Sequence, residues 1–330
     1  MKPFSLSLSL VLAVLVLGAS ISSAARPREI WERYSVAFIG KDGSDPVFGA
    51  ARTGARDAAN RLELAHKLEI KIVDLTAMNR DSAAQAEALQ KAYADGANGV
   101  IISVADPTAI TPVIDSLMQR GIPTVTFDGD APQSSRLATV QTDNSAMGKA
   151  LFMQISEELP SWGSSNNVAI LAGDTSSPGI AKRLAAIKQA AAEQEKVEIF
   201  DIYPCPESVN GAREILHFAM NEDRNEEIDG WIFLTKWPLM GVAQLPWQPG
   251  EMPCVAADAL PPSLPYLAQG SVDALIAQQY YRWGYLAMDA LIKFIHLKES
   301  PQTVLIETQI ELVTSDDLAD YGAKWADWMQ

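Results

Sequence analysis

Residues that most often carry covalent or metal chemistry are scarce in this chain. Its 330 residues include two cysteines and three histidines. No Cys/His grouping has metal-ligand spacing, and no nucleophile–base pair is visible. No glycine-rich loop ends in Gly-Lys-Ser/Thr, so no phosphate-cradling loop is expected. Basic charge is also short, with 26 Lys and Arg against 41 Asp and Glu. Nucleic acid and anionic membrane both call for basic surface, so neither is an expected partner. No cofactor is expected. Long apolar runs are absent after the first residues, so the remainder is expected to be soluble. The three histidines, His66, His217 and His296, fall on predicted helices.

The two cysteines do not read as a disulfide. Cys205 follows one predicted strand and Cys254 opens another of the same parallel sheet. Those are opposite edges, and strands lie about 4.8 Å apart, so the geometry opposes a bridge.

Residues 1–24 read as a secretory signal peptide. Met1-Lys2 gives a positive start, and Leu6 to Leu17 is apolar apart from Ser7 and Ser9. Ser22-Ser23-Ala24 supplies small residues, so cleavage is expected near Ala24. Ser20 stands after Leu17-Gly18-Ala19, where a lipoprotein would carry cysteine. A lipid anchor is therefore not expected.

What the chain does have is one phrase used twice. Ile122-Pro123-Thr124-Val125-Thr126-Phe127-Asp128 and Met252-Pro253-Cys254-Val255-Ala256-Ala257-Asp258 are each a Pro-led apolar run stopped by aspartate. Other landmarks repeat at nearly the same offset. Val36-Ala37-Phe38-Ile39 answers Val168-Ala169-Ile170-Leu171, and Gly99-Val100-Ile101-Ile102 answers Gly230-Trp231-Ile232-Phe233. An offset of domain size predicts two similar lobes rather than a short-period solenoid. Apolar runs alternate with helical stretches throughout, which predicts an α/β fold of doubly wound parallel sheets. Strands are expected at 34–40, 68–74, 99–103 and 124–127, with helices at 46–67, 81–95 and 107–120 between them. The helix at 46–67 buries Ala50, Gly54 and Ala58. A second series starts at Thr142-Asp143-Asn144 and includes a short helix at 261–269. Each lobe offers one carboxylate at a strand's C-terminal end, where open α/β sheets bind ligands. The Pro- and Trp-rich stretch 236–253 is either a lid or a rigid connector. The tail 316–330 reads as an acidic, Trp-bearing amphipathic helix.

Six landmarks stand in an order and spacing that suggest a family. Ile39-Gly40-Lys41-Asp42-Gly43-Ser44-Asp45-Pro46-Val47-Phe48 forms a strand–loop–helix junction. Gly54-Ala55-Arg56-Asp57-Ala58-Ala59 is a small helix face. Gly121-Ile122-Pro123 through Asp128, Thr142-Asp143-Asn144 with Gly148, Asp258, and Ala277-Gln278 with Gly284 follow. From about Tyr34 to Thr314 the chain resembles the periplasmic sugar-binding proteins of the ribose/galactose-binding type. These share their fold with the effector domains of lac-repressor-like regulators. The resemblance implies two lobes joined by three crossovers, an N-lobe of 34–141 plus 279–307 and a C-lobe of 142–278 plus 308–330. It implies a periplasmic monomer that captures a sugar, sugar derivative or polyol in the cleft. The partner it implies is an ABC transporter permease.

The resemblance also implies site residues. By position alone Asp128 and Asp258 divide evenly between ligand carboxylates and turn-capping residues; the resemblance favours ligand for both, each offering two oxygens to adjacent hydroxyls. Gln278 can donate to and accept from a hydroxyl, or bind only backbone. Phe48 is placed against the C–H face of a sugar, with burial in the N-lobe core as the alternative. Asp45 stands where the family has Asn, and competes with a role as N-cap of the Pro46 helix. Lys41 lies near the cleft floor and offsets acidic charge or touches ligand. Thr235 replaces a family Asn and is followed by Lys236 and Trp237. Trp237 or Tyr280 supplies a second stacking face, or is plain wall. Ala181 stands in place of a family arginine, Pro206 in place of an aromatic, and Tyr280 in place of a proline.

Three other functions compete. A sensor subunit of the same fold would hand ligand occupancy to a chemoreceptor or histidine kinase. A glycosidase could pair Asp128 with Asp258. A transcription regulator is opposed by the secretory leader and by the missing N-terminal DNA-binding helices.

Overall fold

The computed structural model describes residues 31–160, 165–222, 227–241 and 244–330. The signal peptide expected at 1–24 lies outside the described residues. The first series is β1 (Glu32–Ile39), α1 (Pro46–His66), β2 (Leu68–Asp74), α2 (Ser82–Ala94), β3 (Gly99–Ile102), α3 (Pro107–Gln119), β4 (Thr124–Phe127) and β5 (Ala138–Thr142). The second is α4 (Asn144–Glu158), β6 (Asn166–Gly173), α5 (Pro178–Ala192), β7 (Val197–Pro204), α6 (Val209–Glu222), β8 (Gly230–Phe233), β9 (Cys254–Ala257), α7 (Leu264–Gln269) and β10 (Ala274–Gln278). The chain finishes with α8 (Tyr280–Ile292), β11 (Leu305–Thr308), β12 (Ile310–Val313) and α9 (Leu318–Trp328).

Two six-stranded sheets result, ordered β11-β5-β4-β3-β1-β2 and β12-β10-β9-β8-β6-β7. The orders superimpose strand for strand, which is the structural content of the repeated phrase. Only β12 runs antiparallel to its neighbour. α4 packs on β8, β9 and β10, whereas α8 packs on β3, β4 and β5. The chain therefore passes between the two lobes three times, after β5, after β10 and after β11. No described helix is long and apolar enough to cross a membrane.

Local chemistry explains the helix starts. The Asp81 side chain accepts from the amides of Ala83 and Ala84, and Asp106 accepts from those of Thr108 and Ala109. Pro46 and Pro107 sit in first turns, where their missing N–H costs nothing. The small face of α1 lets it press against α8 through Gly54 and Gly284.

Two expectations shift. The helix read from Pro261 begins at Leu264, because Ser263 Oγ turns back onto Leu260 N at 2.9 Å and caps the Pro261-Pro262 turn first. The stretch 236–253 forms a short 3-10 turn at Trp237–Leu239, and its Leu245 and Trp247 are buried in the core. Trp247 stacks on Trp231 with centroids 6.4 Å apart, and its Nε1 donates to Ser271 O at 3.0 Å. Its described part is thus fastened to the second lobe. Cys205 and Cys254 are free and buried.

Candidate functional site

Asp128 follows β4 and Asp258 follows β9, at equivalent strand ends. Both adopt left-handed backbone, with φ of 53° and 73°. That region is uncommon for non-glycine residues, and aspartate tolerates it better than most. The turn lifts each carboxylate off the end of its sheet.

Asp128 is held by residues from two other strand ends. Lys41 Nζ, beyond β1, lies 2.9 Å from Oδ2. Ser103 Oγ, beyond β3, donates to the same oxygen at 2.9 Å. Gly129 N donates back to Ser103 Oγ at 3.2 Å, and Gln141 Nε2 donates to Asp128 O at 3.2 Å. Gly129 must be glycine here, since a Cβ would lie 2.3 Å from Lys41 Cε and 2.2 Å from Val104 O. Burial pushes the Asp128 carboxyl up, but the Lys41 charge and hydrogen bond, Ser103 and the Lys236 charge outweigh it and hold it below its ordinary value. Beneath this array Gln85 is buried in α2. Its Nε2 donates to Gly40 O and Ser103 O, at 3.0 and 2.7 Å, and its Oε1 accepts from Ala105 N at 2.9 Å. One side chain thereby fixes the loops after β1 and β3.

The second half has the same logic with neutral donors. Gln278 Nε2 donates to Asp258 Oδ1 at 2.6 Å, and Tyr280 Oη donates to that oxygen at 3.0 Å. Ser263 Oγ donates to Asp258 O at 3.2 Å. Asp258 is only 7% exposed. Burial and the Asp258 charge push the Tyr280 phenol well up, so it stays a donor. Nearby, Thr235 is buried, and its Oγ1 has no hydrogen-bond partner among the described residues. Arg183 reaches from α5 to Asn144 Oδ1 and Leu234 O, both at 2.8 Å, and ties the first crossover to the end of β8.

Each carboxylate therefore has one oxygen occupied by two protein donors. Asp128 Oδ1 and Asp258 Oδ2 have no partner among the described residues. These two oxygens are the ones left open to a further donor.

Among the described residues, two ion pairs cross between the lobes. Lys236 Nζ bonds Asp45 Oδ2, with both side chains largely buried. Arg80 bonds Glu207 at the exposed rim. Asp45 fills the N-cap role read from the sequence, since its Oδ1 accepts from Val47 N at 3.2 Å at the start of α1, while its Oδ2 is taken by Lys236. The Lys236 ammonium lies 5.2 Å from the centre of the half-buried Trp237 ring. Phe48 is buried, its edge toward Phe127 at 6.2 Å between centroids. Tyr280 is not a stacking face. It is fully buried, with its ring against Trp283 and Trp325, and only its hydroxyl reaches Asp258. The tilted rings of His66 and His296 pack together, with Tyr34 edge-on to His296, near the start of β1 and at the far end of that sheet from Asp128. No group of metal-ligating side chains occurs among the described residues.

Ser103, Gln85, Gln141 and the hydroxyl role of Tyr280 were not legible as site residues. The one available signal was position: Ser103 and Gln141 both stand at strand C-terminal ends, as Asp128 does.

Residues 36–299 match a family model described as a periplasmic binding protein domain. No curated protein matches the chain. Among solved structures, the fold is similar to an ABC transporter solute-binding protein from Burkholderia graminis in complex with D-arabinose. That pair has 22% identity and a TM-score of 0.75, covering 89% of this chain and 99% of the other. A sugar-binding protein of a sugar ABC transporter from Bacillus halodurans has 21% identity and a TM-score of 0.77, covering 88% and 100%. A periplasmic ribose ABC transporter protein from Conexibacter woesei has 18% identity and a TM-score of 0.76, covering 91% and 98%. At these identities the likeness concerns the fold.

Proposed function

Because the chain belongs to the periplasmic binding protein domain family, we propose that it captures a sugar, sugar derivative or polyol between its lobes and delivers it to an ABC importer. The observation that carries this reading is the pair of aspartates, one per lobe, each with one oxygen anchored and one free. A carboxylate oxygen only accepts, and a polyhydroxy ligand presents donors to both. The buried, unpartnered Thr235 hydroxyl adds a group that can pair with such a ligand. Gln278 and Lys41 fix the carboxylates and border the ligand, while Phe48, Asp45 and Trp237 form the wall. The neighbours that bind sugars support the ligand class.

No chemistry is needed. A glycosidase would need one of the two carboxyls to hold a proton near neutral pH; the surroundings of Asp128 favour its ionised form, which leaves that role to Asp258, whose Oδ1 already accepts from two donors. The protein acts as a monomer in the periplasm, its leader removed near Ala24 and no lipid attached. The moving bodies are 34–141 plus 279–307 and 142–278 plus 308–330, which close on ligand by hinge motion.

A thermal-shift screen against pentoses, hexoses, sugar acids, polyols and nucleosides tests the reading. A ligand at ~1,000 times its Kd stabilises the folded state by about 4 kcal/mol. A flat response to every carbohydrate refutes it.

Closure itself has a test. Lys236→Met removes the charge that bonds Asp45 across the cleft. The unliganded variant is expected to spend more time open, seen as a larger radius of gyration in solution scattering. Its affinity for the best ligand falls about three- to tenfold, from one partly buried interlobe pair. An unchanged radius of gyration rejects this role for the pair.

A further inference from the structure

We propose that the C-terminal helix α9 belongs to the binding apparatus, with Tyr280 and Trp325 as positioning residues that hold Asp258 toward the ligand. This rests on the reading above, in which Asp258 meets a sugar hydroxyl.

The left-handed turn at Asp258 needs external support, and four side chains provide it. Tyr280 and Gln278 fill Oδ1, Ser263 holds the Asp258 carbonyl, and Trp325 Nε1 donates to the next carbonyl, Ala259 O, at 3.0 Å. Trp325 is 2% exposed and its ring packs on Tyr280 with centroids 5.5 Å apart. Neither residue is open to the cleft, so each acts through Asp258. With Oδ1 filled, the carboxylate cannot rotate without losing two donors, and Oδ2 remains as the ligand-facing acceptor.

The other end of α9 reaches the first lobe. Trp328 O accepts from Thr53 Oγ1 of α1 at 2.7 Å, and the Trp328 ring stacks on Tyr281 of α8 at 6.1 Å. The helix thus touches the turn that carries Asp258 and the helix pair α1–α8 of the opposite lobe. The amphipathic helix expected from the sequence at 316–330 thus joins the two halves of the site.

The test is a double-mutant cycle on the full chain. The probe is whichever of the pentoses, hexoses, sugar acids, polyols and nucleosides of that screen binds most tightly by calorimetry. Tyr280→Phe keeps the ring and removes the hydroxyl. It is expected to raise Kd ~10-fold, the usual scale for a hydrogen bond to a charged acceptor. In an Asp258→Asn background the same change should cost less than about twofold, because its effect passes through that carboxylate. Trp325→Phe should show a smaller effect with the same dependence on Asp258. Equal effects of Tyr280→Phe in both backgrounds, or a lowered melting temperature with unchanged Kd, overturn the inference and leave the binding reading standing. Unaltered binding by Asp258→Asn, or no response to any probe, removes both.

Discussion

Asp128→Ala is expected to weaken binding of the best sugar ligand ~100-fold or more, and Asp258→Ala by a similar factor. Each free carboxylate oxygen can accept up to two hydroxyl bonds, and bonds to a charged acceptor contribute about 1.5–3 kcal/mol apiece. The two losses differ in what they leave behind. Removing Asp128 strands Lys41 Nζ, whose side chain is 18% exposed, without its one acidic partner among the described residues, and leaves Ser103 Oγ without its acceptor. Removing Asp258 strands only neutral donors, Gln278 and Tyr280. The unliganded Asp128 variant should therefore lose more of its melting temperature, and Asp128→Asn should recover part of the stability but little of the affinity. Calorimetry and thermal unfolding separate the two quantities. Normal binding by both alanine variants would reject the site.

The lowered pKa of Asp128 sets where acid should act. A carboxyl depressed in the folded state contributes stability that is fully present above its unfolded pKa, about 3.9. That contribution is lost as pH falls through the folded value. The pairing around Asp128 is thus expected to persist through the mildly acidic range, and affinity should stay level from about pH 7 down to about pH 5. A drop in affinity within that window, measured by calorimetry, would point to another titrating group.

The positions of both aspartates were legible because the sequence encodes them locally. A Pro-led apolar run fixes the strand, and the aspartate that stops it falls at the ligand-binding end of a parallel sheet. The partners of those aspartates were not legible, because they come from distant strand ends. Ser103 closes the strand expected at 99–103, and its hydroxyl has no visible partner in the sequence until β3 and β4 pair. Gln85 sits in the first turn of α2, where glutamine ordinarily faces water, and its buried role depends on two loops that converge on it. Lys236 and Asp45 are 191 residues apart and meet only because the lobes close. The resemblance marked Tyr280 as a departure from proline, and suggested wall or stacking face. Its hydroxyl finds Asp258 because the chain re-enters α8 directly beside the end of β10. Amphipathic spacing foretold α9 as a helix, and which surface its tryptophans cover followed only from the packing.

Gly284→Val is expected to be the most damaging single substitution for the fold. A Cβ at Gly284 would stand 1.7 Å from Ala51 O, and one at Gly54 would stand 1.9 Å from Tyr281 O. Both obstacles are backbone atoms within helices, so no flexible side chain can yield, and α1 and α8 must separate. Those helices cover one face of the first sheet and bury Ala51, Ala55, Ala58, Ala287 and Met288 between and beneath them. Forced overpacking of this kind costs roughly 1–3 kcal/mol when the structure can relax and more when it cannot. For a chain of this size each kcal/mol lowers the melting temperature by about 2–4 °C, so a loss of ~10 °C, or failure to accumulate folded protein, is expected. Gly284→Ala should show a milder form of the same defect. Gly322→Ala is the matched control: it is also helical, but its added Cβ meets nothing within 4 Å. It should be neutral or stabilising by up to about 1 kcal/mol from helix propensity alone. The defect should also reach the ligand, because α8 starts at Tyr280. In Gly284→Ala, the stability loss should come with a rise in Kd, whereas a stability loss at unchanged Kd would mean that α8 can shift along α1 without moving the Tyr280 hydroxyl off Asp258.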